Sequence, residues 1–137
     1  MNEQNNIRFI KDLEKAINGE YSAIHCYATL ANLAKEENIR KQILEIRQDE
    51  IKHFQQFEYI YMSLTGRRPQ PKMIERCPND YKSGLELALQ DEQQTVDFYL
   101  EMADYTTNPY IKKVFRRAAA DEQNHAVWFL YYFSKAE

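Results

Sequence analysis

The segment Asp49-Glu50-Ile51-Lys52-His53 returns seventy-two residues later as Asp121-Glu122-Gln123-Asn124-His125, and both copies interrupt apolar stripes. Around the first copy, Ile39, Ile43, Ile46, Glu50, His53, Phe57, Ile60 and Leu64 follow at steps of three and four, the pattern of one helical face. A helix buries such a face, so Glu50 and His53 stand where leucine or isoleucine is expected. A chain that buries a carboxylate and an imidazole twice at the same spacing must compensate them, and this restricts its folds.

Only three glycines and four prolines occur in 137 residues, whereas helix-forming Glu, Lys, Gln, Ala, Leu and Ile abound, so the class is all-α. One domain is expected over residues 1–137. The first helix runs from about Gln4 to about Lys35, with the stripe Ile10, Leu13, Ile17, Glu20, Ile24, Tyr27, Ala31, Ala34. Asn38 is the expected N-cap of a second helix that continues to about Thr65. Two long helices joined by so short a turn are antiparallel. Glu20 lies 17 residues before Glu37, and Glu50 and His53 lie 13 and 16 after it, which sets all three at nearly one height.

Gly66, Pro69, Pro71 and Pro78 break the periodicity from Gly66 to Asn79. This connection reaches about 46 Å when extended, against about 38 Å needed to return along the second helix. It is a lengthwise crossover or, alternatively, a slack hairpin. A third helix follows from about Asp80 to Thr106 with the stripe Leu85, Leu89, Glu92, Val96, Tyr99, Ala103. Asn108-Pro109 starts a fourth, which runs to about Ser134 with Ile111, Phe115, Ala118, Glu122, His125, Phe129 and Tyr132.

Laid over each other without a gap, residues 13–57 and 85–129 agree at 12 of 45 positions, and every polar intruder in a stripe belongs to the matched set. Two such hairpins about a local two-fold make an antiparallel four-helix bundle. Its interior receives Glu20, Glu50, Glu92, Glu122, His53 and His125 at one level. Any one of them alone would more often be a satisfied polar group of the core or its boundary. Six in register call for about four positive charges, which two divalent ions supply.

One Glu from each of two helices plus Glu-x-x-His from each of the others resembles the ferritin-like di-iron carboxylate proteins. By size and spacing it is most similar to the rubrerythrin branch. The resemblance implies that Glu50 and Glu122 bridge the ions, that Glu20 with His53 and Glu92 with His125 complete one each, and that hydrogen peroxide or dioxygen is reduced there. Mixed oxygen and nitrogen donors favour two Fe ions, with Mn or a mixed Fe/Mn pair as the alternative. Asp49 and Asp121, which precede the shared glutamates, either orient the histidine of the opposite hairpin or are simply solvated acids. Tyr27 and Tyr99, two turns beyond Glu20 and Glu92, either bond a ligand carboxylate, shuttle a radical or only pack the core. Two departures stand out. Thr95 occupies a place where rubrerythrins commonly carry a further carboxylate, and the sequence shows no rubredoxin-type CxxC pairs, so a separate electron-donor protein is expected. Competing readings are a ferroxidase or iron-storage protein of ferritin type and a bundle whose metal is only structural.

The remaining features are plainer. With 18 basic against 21 acidic residues and no long basic run, nucleic acid is not expected as a partner. Cys26 and Cys77 form no CxxC motif and are too few for a disulfide framework, so both are expected as reduced thiols. No apolar run suits a membrane span and Met1–Asn6 is polar, which points to the cytoplasm. His25 has no partner in the pattern. Trp128, Phe129, Tyr131, Tyr132 and Phe133 give the last helix more aromatic surface than one stripe buries, hence an expected homodimer.

Overall fold

The computed structural model describes residues 3–137, with side chains from Asn6 onward, so most of the polar Met1–Asn6 start lies outside its side-chain description. Four helices carry the chain: α1 (Glu3–Leu33), α2 (Glu37–Thr65), α3 (Tyr81–Tyr105) and α4 (Pro109–Lys135). Asn108 caps α4 by accepting hydrogen bonds from the Tyr110 and Ile111 amides, and Asp80 caps α3 by accepting from Ser83. The expected cap at Asn38 is corrected: α2 begins one residue after Glu36, whose side chain makes no capping bond. There the tight α1–α2 turn outweighs the preference for Asn, and Arg40 instead ties the turn by donating to the Ala31 and Ala34 carbonyls. At the matched place in the second hairpin, Lys112 donates to the Ala103 carbonyl at 2.7 Å.

Two apolar clusters, each built from all four helices, form the core. One joins Phe9 and Leu13 of α1, Phe57 of α2, Tyr99 of α3 and Phe115 of α4. The other joins Tyr27 and Leu30 of α1, Ile43 of α2, Leu85 of α3 and Phe129 of α4. Removing each such side chain from water contributes on the order of 1.5–3 kcal/mol. The first cluster thus gathers the start of α1, the ends of α2 and α3 and the start of α4, so α1 runs antiparallel to both α2 and α3. Leu64, at the end of the expected α2 stripe, is 44% exposed because the helix there has passed the last layer of the bundle, while Tyr61 is buried.

The end of α2 and the start of α3 consequently lie at opposite ends of the bundle, and the connection between them is a crossover. Gly66 ends α2 in a left-handed conformation, φ 71°, with its amide donating to the Met62 carbonyl. The chain then climbs one face of α1. The Lys72 amide donates to Asn18 Oδ1 and the Ile74 amide to Ser22 Oγ, each at 2.9 Å, and Cys77 is joined to Cys26 by a disulfide. This corrects the expectation of two reduced thiols. Their 51-residue separation in sequence says nothing of their separation in space once the crossover returns along α1. Near its destination, Gly84 lets α3 approach α1 closely, since a Cβ there would meet Leu30 Cδ1 at 2.8 Å.

Candidate metal centre

Between the two apolar clusters lies one polar layer. In α1 it falls between Ile17 and Tyr27, in α2 between Ile46 and Phe57, in α3 between Ala88 and Tyr99, and in α4 between Ala119 and Phe129. Glu20, Glu50, His53, Glu92, Glu122 and His125 fill it, each no more than 2% exposed. All six residues picked out by spacing are thus brought together.

Their atoms fall into two overlapping sets. Glu20, Glu50, His53 and Glu122 each offer one donor atom, all within 4.8 Å of one another, and so do Glu50, Glu92, Glu122 and His125. His53 Nδ1 lies 3.3 Å from Glu20 Oε2, 3.2 Å from Glu50 Oε1 and 3.1 Å from Glu122 Oε1. His125 Nδ1 lies 3.3 Å from Glu92 Oε2, 3.5 Å from Glu50 Oε1 and 3.8 Å from Glu122 Oε1. Glu50 and Glu122 therefore face both imidazoles, whereas Glu20 and Glu92 face one each.

The second ring nitrogens point the other way, across the hairpins. His53 Nε2 is 2.8 Å from Asp121 Oδ2, and His125 Nε2 is 2.8 Å from Asp49 Oδ2. An aspartate acceptor holds the proton on Nε2, which leaves the Nδ1 lone pair of a neutral ring turned toward the carboxylates. Tyr99 donates to Glu20 Oε1 at 2.5 Å, and Tyr27 donates to Glu92 Oε1. Each tyrosine belongs to the hairpin opposite its carboxylate. Both are also core residues, Tyr27 against Phe129 and Tyr99 against Phe57 and Phe115.

So many buried acids cannot all ionise unaided. Burial, and then the charges of Glu20 and Glu92, push Glu50 up to about 8. Burial likewise carries Glu122 well above the carboxylate range, reinforced by Glu50 and Glu92. Burial works against a charged imidazole, but Glu92 beside His125 outweighs it and raises that ring to about 9. His53 is raised too: burial opposes, and Glu20, Asp121 and Glu122 prevail. Glu92 moves down despite burial because His125 bonds it. Protons thus take the place of missing positive charge. Even so, Glu20 Oε2, Glu50 Oε1, His53 Nδ1 and Glu122 Oε1 are buried without a hydrogen-bond partner. Convergent, unpartnered donors of this kind fit metal ions.

The layer is reached through a cavity of about 180 Å³ between α1 and α3, with Glu20, Glu50, Glu92 and Glu122 in its lining. Thr95 also lines it, and its hydroxyl donates to the Asp91 carbonyl, so no fifth carboxylate enters from that position. Asp91 and Glu75 do line the cavity, and sequence reasoning missed both. Burial and the adjacent Glu75 carboxylate push Asp91 up to about 8. The signal for Asp91 was its place directly before Glu92; Glu75 sits in an irregular segment and left none. His25 is exposed and packs edge-on against Tyr21.

Comparison with known proteins places this centre in context. A family model described as rubrerythrin matches residues 84–137. The uncharacterized protein YhjR of Bacillus subtilis is 58% identical over 123 residues, 90% of this chain and 85% of YhjR. Among solved structures, the bacterioferritin of Desulfovibrio desulfuricans superposes with a TM-score of 0.83 at 20% identity, covering 98% of this chain and 83% of that one. A ferritin-like di-iron carboxylate protein of Bacillus anthracis gives 0.81 at 22% identity, covering 97% and 99%. Such distant structures establish the shared fold, and the YhjR match establishes kinship along most of the chain. The protein belongs to one family with YhjR, has the ferritin-like four-helix fold, and over its second half matches the rubrerythrin family model.

Proposed function

We propose that this chain is a rubrerythrin-like non-haem di-iron oxidoreductase that reacts with hydrogen peroxide or dioxygen and protects the cell from oxidative damage. The supporting observation is the pair of four-residue donor sets that overlap in Glu50 and Glu122. Glu20 with His53 would hold one ion and Glu92 with His125 the other, and the two shared carboxylates would serve both. Four carboxylates balance two divalent cations, and their mixture with imidazole suits iron, with manganese or an Fe/Mn pair as the alternative. Two such ions, when bound, supply a pair of electrons to an oxidant.

The chain's own groups do the rest. Asp121 and Asp49 keep the Nε2 protons in place and so hold the Nδ1 lone pairs inward. Tyr99 and Tyr27 bond one oxygen of Glu20 and Glu92, leaving the other oxygen turned to the imidazole. The apolar clusters above and below exclude bulk water, and the α1/α3 cavity is roomy enough for a small oxidant.

A ferroxidase reading is favoured by one feature, the carboxylates of Glu75 and Asp91 in that cavity, which suit a passing cation better than neutral peroxide. The peroxidase reading needs a separate protein to resupply electrons, whereas a ferroxidase draws them from the Fe(II) it oxidises; the cytoplasm is the proposed compartment. Val127, Leu130 and Tyr131 expose apolar surface on α4 for a homodimer.

Stopped-flow oxidation of the Fe(II)-loaded chain separates these readings. Faster reaction with peroxide is expected; faster reaction with dioxygen, accompanied by mineral, indicates the ferroxidase. Reaction with neither leaves only a structural metal. Glu50→Ala should lower bound metal from about two ions per chain to one or none, and two ions retained would refute the centre.

A further inference from the structure

The crossover does more than connect α2 to α3. Between Lys72 and Cys77 it lies along α1 on a rail of residues four apart, Asn18, Ser22 and Cys26. In doing so it sets Ile74 and Glu75 into the lining of the cavity that leads to Glu20, Glu50, Glu92 and Glu122. Little else holds this strap down. Lys72, Met73, Ile74 and Arg76 are all exposed, Ile74 by 53% and Met73 by 45%, so no apolar anchor seats them. Two backbone-to-side-chain hydrogen bonds, one covalent bond and the contact of Glu75 with Asp91 fasten the segment that covers the cavity.

We propose that Cys26 and Cys77 form a reversible redox latch, which holds the strap over the cavity when oxidised and frees it when reduced. The thiol state then sets how fast metal ions and small solutes reach the buried carboxylates. This function rests on the metal-centre reading above. In the reducing direction a dithiol delivers two electrons and two protons, the sulfur–sulfur bond breaks to two thiols, and the reductant closes to its own disulfide. In the oxidising direction one thiolate attacks hydrogen peroxide and becomes a sulfenic acid as the first water leaves. The second thiol then displaces the second water and restores the bond. The centre therefore loads metal under reducing conditions, and the oxidant it is proposed to meet closes the way out.

Reduction is expected to matter because the cross-link spans 51 residues. Without it, the strap from Lys72 to Cys77, which follows the buried Pro69, keeps only its two hydrogen bonds to α1 and the contact of Glu75 with Asp91, and opening of such a weakly seated segment is a local event that leaves the bundle intact.

The test compares three forms of the full chain: disulfide-bonded protein, the same protein reduced with dithiothreitol and desalted without air, and Cys26→Ser/Cys77→Ser. Each is mixed with Co(II), whose visible absorption reports both the amount bound and the rate. Amide hydrogen exchange is followed at Lys72 and Ile74. All three forms should bind the same amount of Co(II), with uptake about tenfold faster in the reduced and serine forms and faster exchange at both amides. Equal uptake rates and equal exchange would overturn the latch while leaving the metal centre standing. Co(II) bound by no form refutes the metal centre itself, and unchanged exchange in that case refutes the release of the strap as well. The reduced form keeps the native residues, so misfolding of the serine variant cannot decide the outcome. Thiols that stay free after exposure to hydrogen peroxide would also overturn the proposal.

Discussion

The two halves of the polar layer are built from matched residues, yet their supports differ. His53 leans on Asp121, whose side chain is 16% exposed and is also gripped by Arg117 at 3.0 Å. His125 leans on Asp49, whose side chain is 44% exposed and which has Glu45 where Asp121 has Arg117. Burial would raise Asp121, but His53 and then Arg117 hold it below the usual range. The rail that carries the crossover is equally one-sided: Asn18, Ser22 and Cys26 of α1 have Gln90, Gln94 and Phe98 as their counterparts in α3. A repeated ligand pattern therefore need not make two equal sites, because the ligands come from the repeat and their supports from its surroundings.

The largest expected break in this comparison comes from the aspartates. Asp121→Ala should weaken metal binding at the His53 half by about tenfold to a hundredfold, and Asp49→Ala should weaken the other half less, as read by titration with Co(II). The reverse order would show that exposure does not govern the support. A second effect concerns pH in the metal-free chain. Glu50 is raised from 4.5 to about 8 and His125 from 6.5 to about 9, so the folded state binds more protons than the unfolded one across that window. Stability should fall as pH rises from about 5 to about 9, whereas metal affinity should rise as protons leave the same groups. Thermal melts with and without metal check both signs, and a metal-free chain that grows steadier toward pH 9 would contradict the charge balance derived above.

Smaller effects sharpen the comparison. Tyr99→Phe and Tyr27→Phe each leave a buried carboxylate oxygen unpartnered and should cost about 1–3 kcal/mol in urea unfolding. Near-equal values are expected, since the two bonds are reciprocal; a wide gap would place the asymmetry inside the layer as well as at its edge. Arg117→Ala should cost less than about 1 kcal/mol, because its side chain is 75% exposed. Its informative readout is metal affinity at the His53 half, which should drop toward that of the His125 half.

Much of this was legible beforehand, for a physical reason. A carboxylate in an apolar stripe is costly enough that its repetition in register carries information, and helical spacing assigns it to a face. Hence Glu20, Glu50, His53, Glu92, Glu122 and His125 could be named together. Asp49 and Asp121 could be named as acceptors because each precedes its glutamate on the next helical face. The disulfide could not, since thiols 51 residues apart meet only if the intervening crossover takes one path. Asn18, Ser22 and Cys26 stand four residues apart, but nothing in that spacing says that the crossover lies on them. Periodicity also ran past its authority at Leu64, because a stripe continues in sequence after the bundle that buries it has ended.

By itself the sequence determined four amphipathic helices, their polar layer and the residue types within it, all of which follow from local periodicity and the cost of burying charge. Only the tertiary structure decided which oxygen faces which ring, that Tyr27 reaches Glu92 across 65 residues and Tyr99 reaches Glu20 across 79, and that the crossover is fastened to α1 above the cavity. Those contacts join different helices, and no periodicity within one helix fixes the rotation and height at which it meets another.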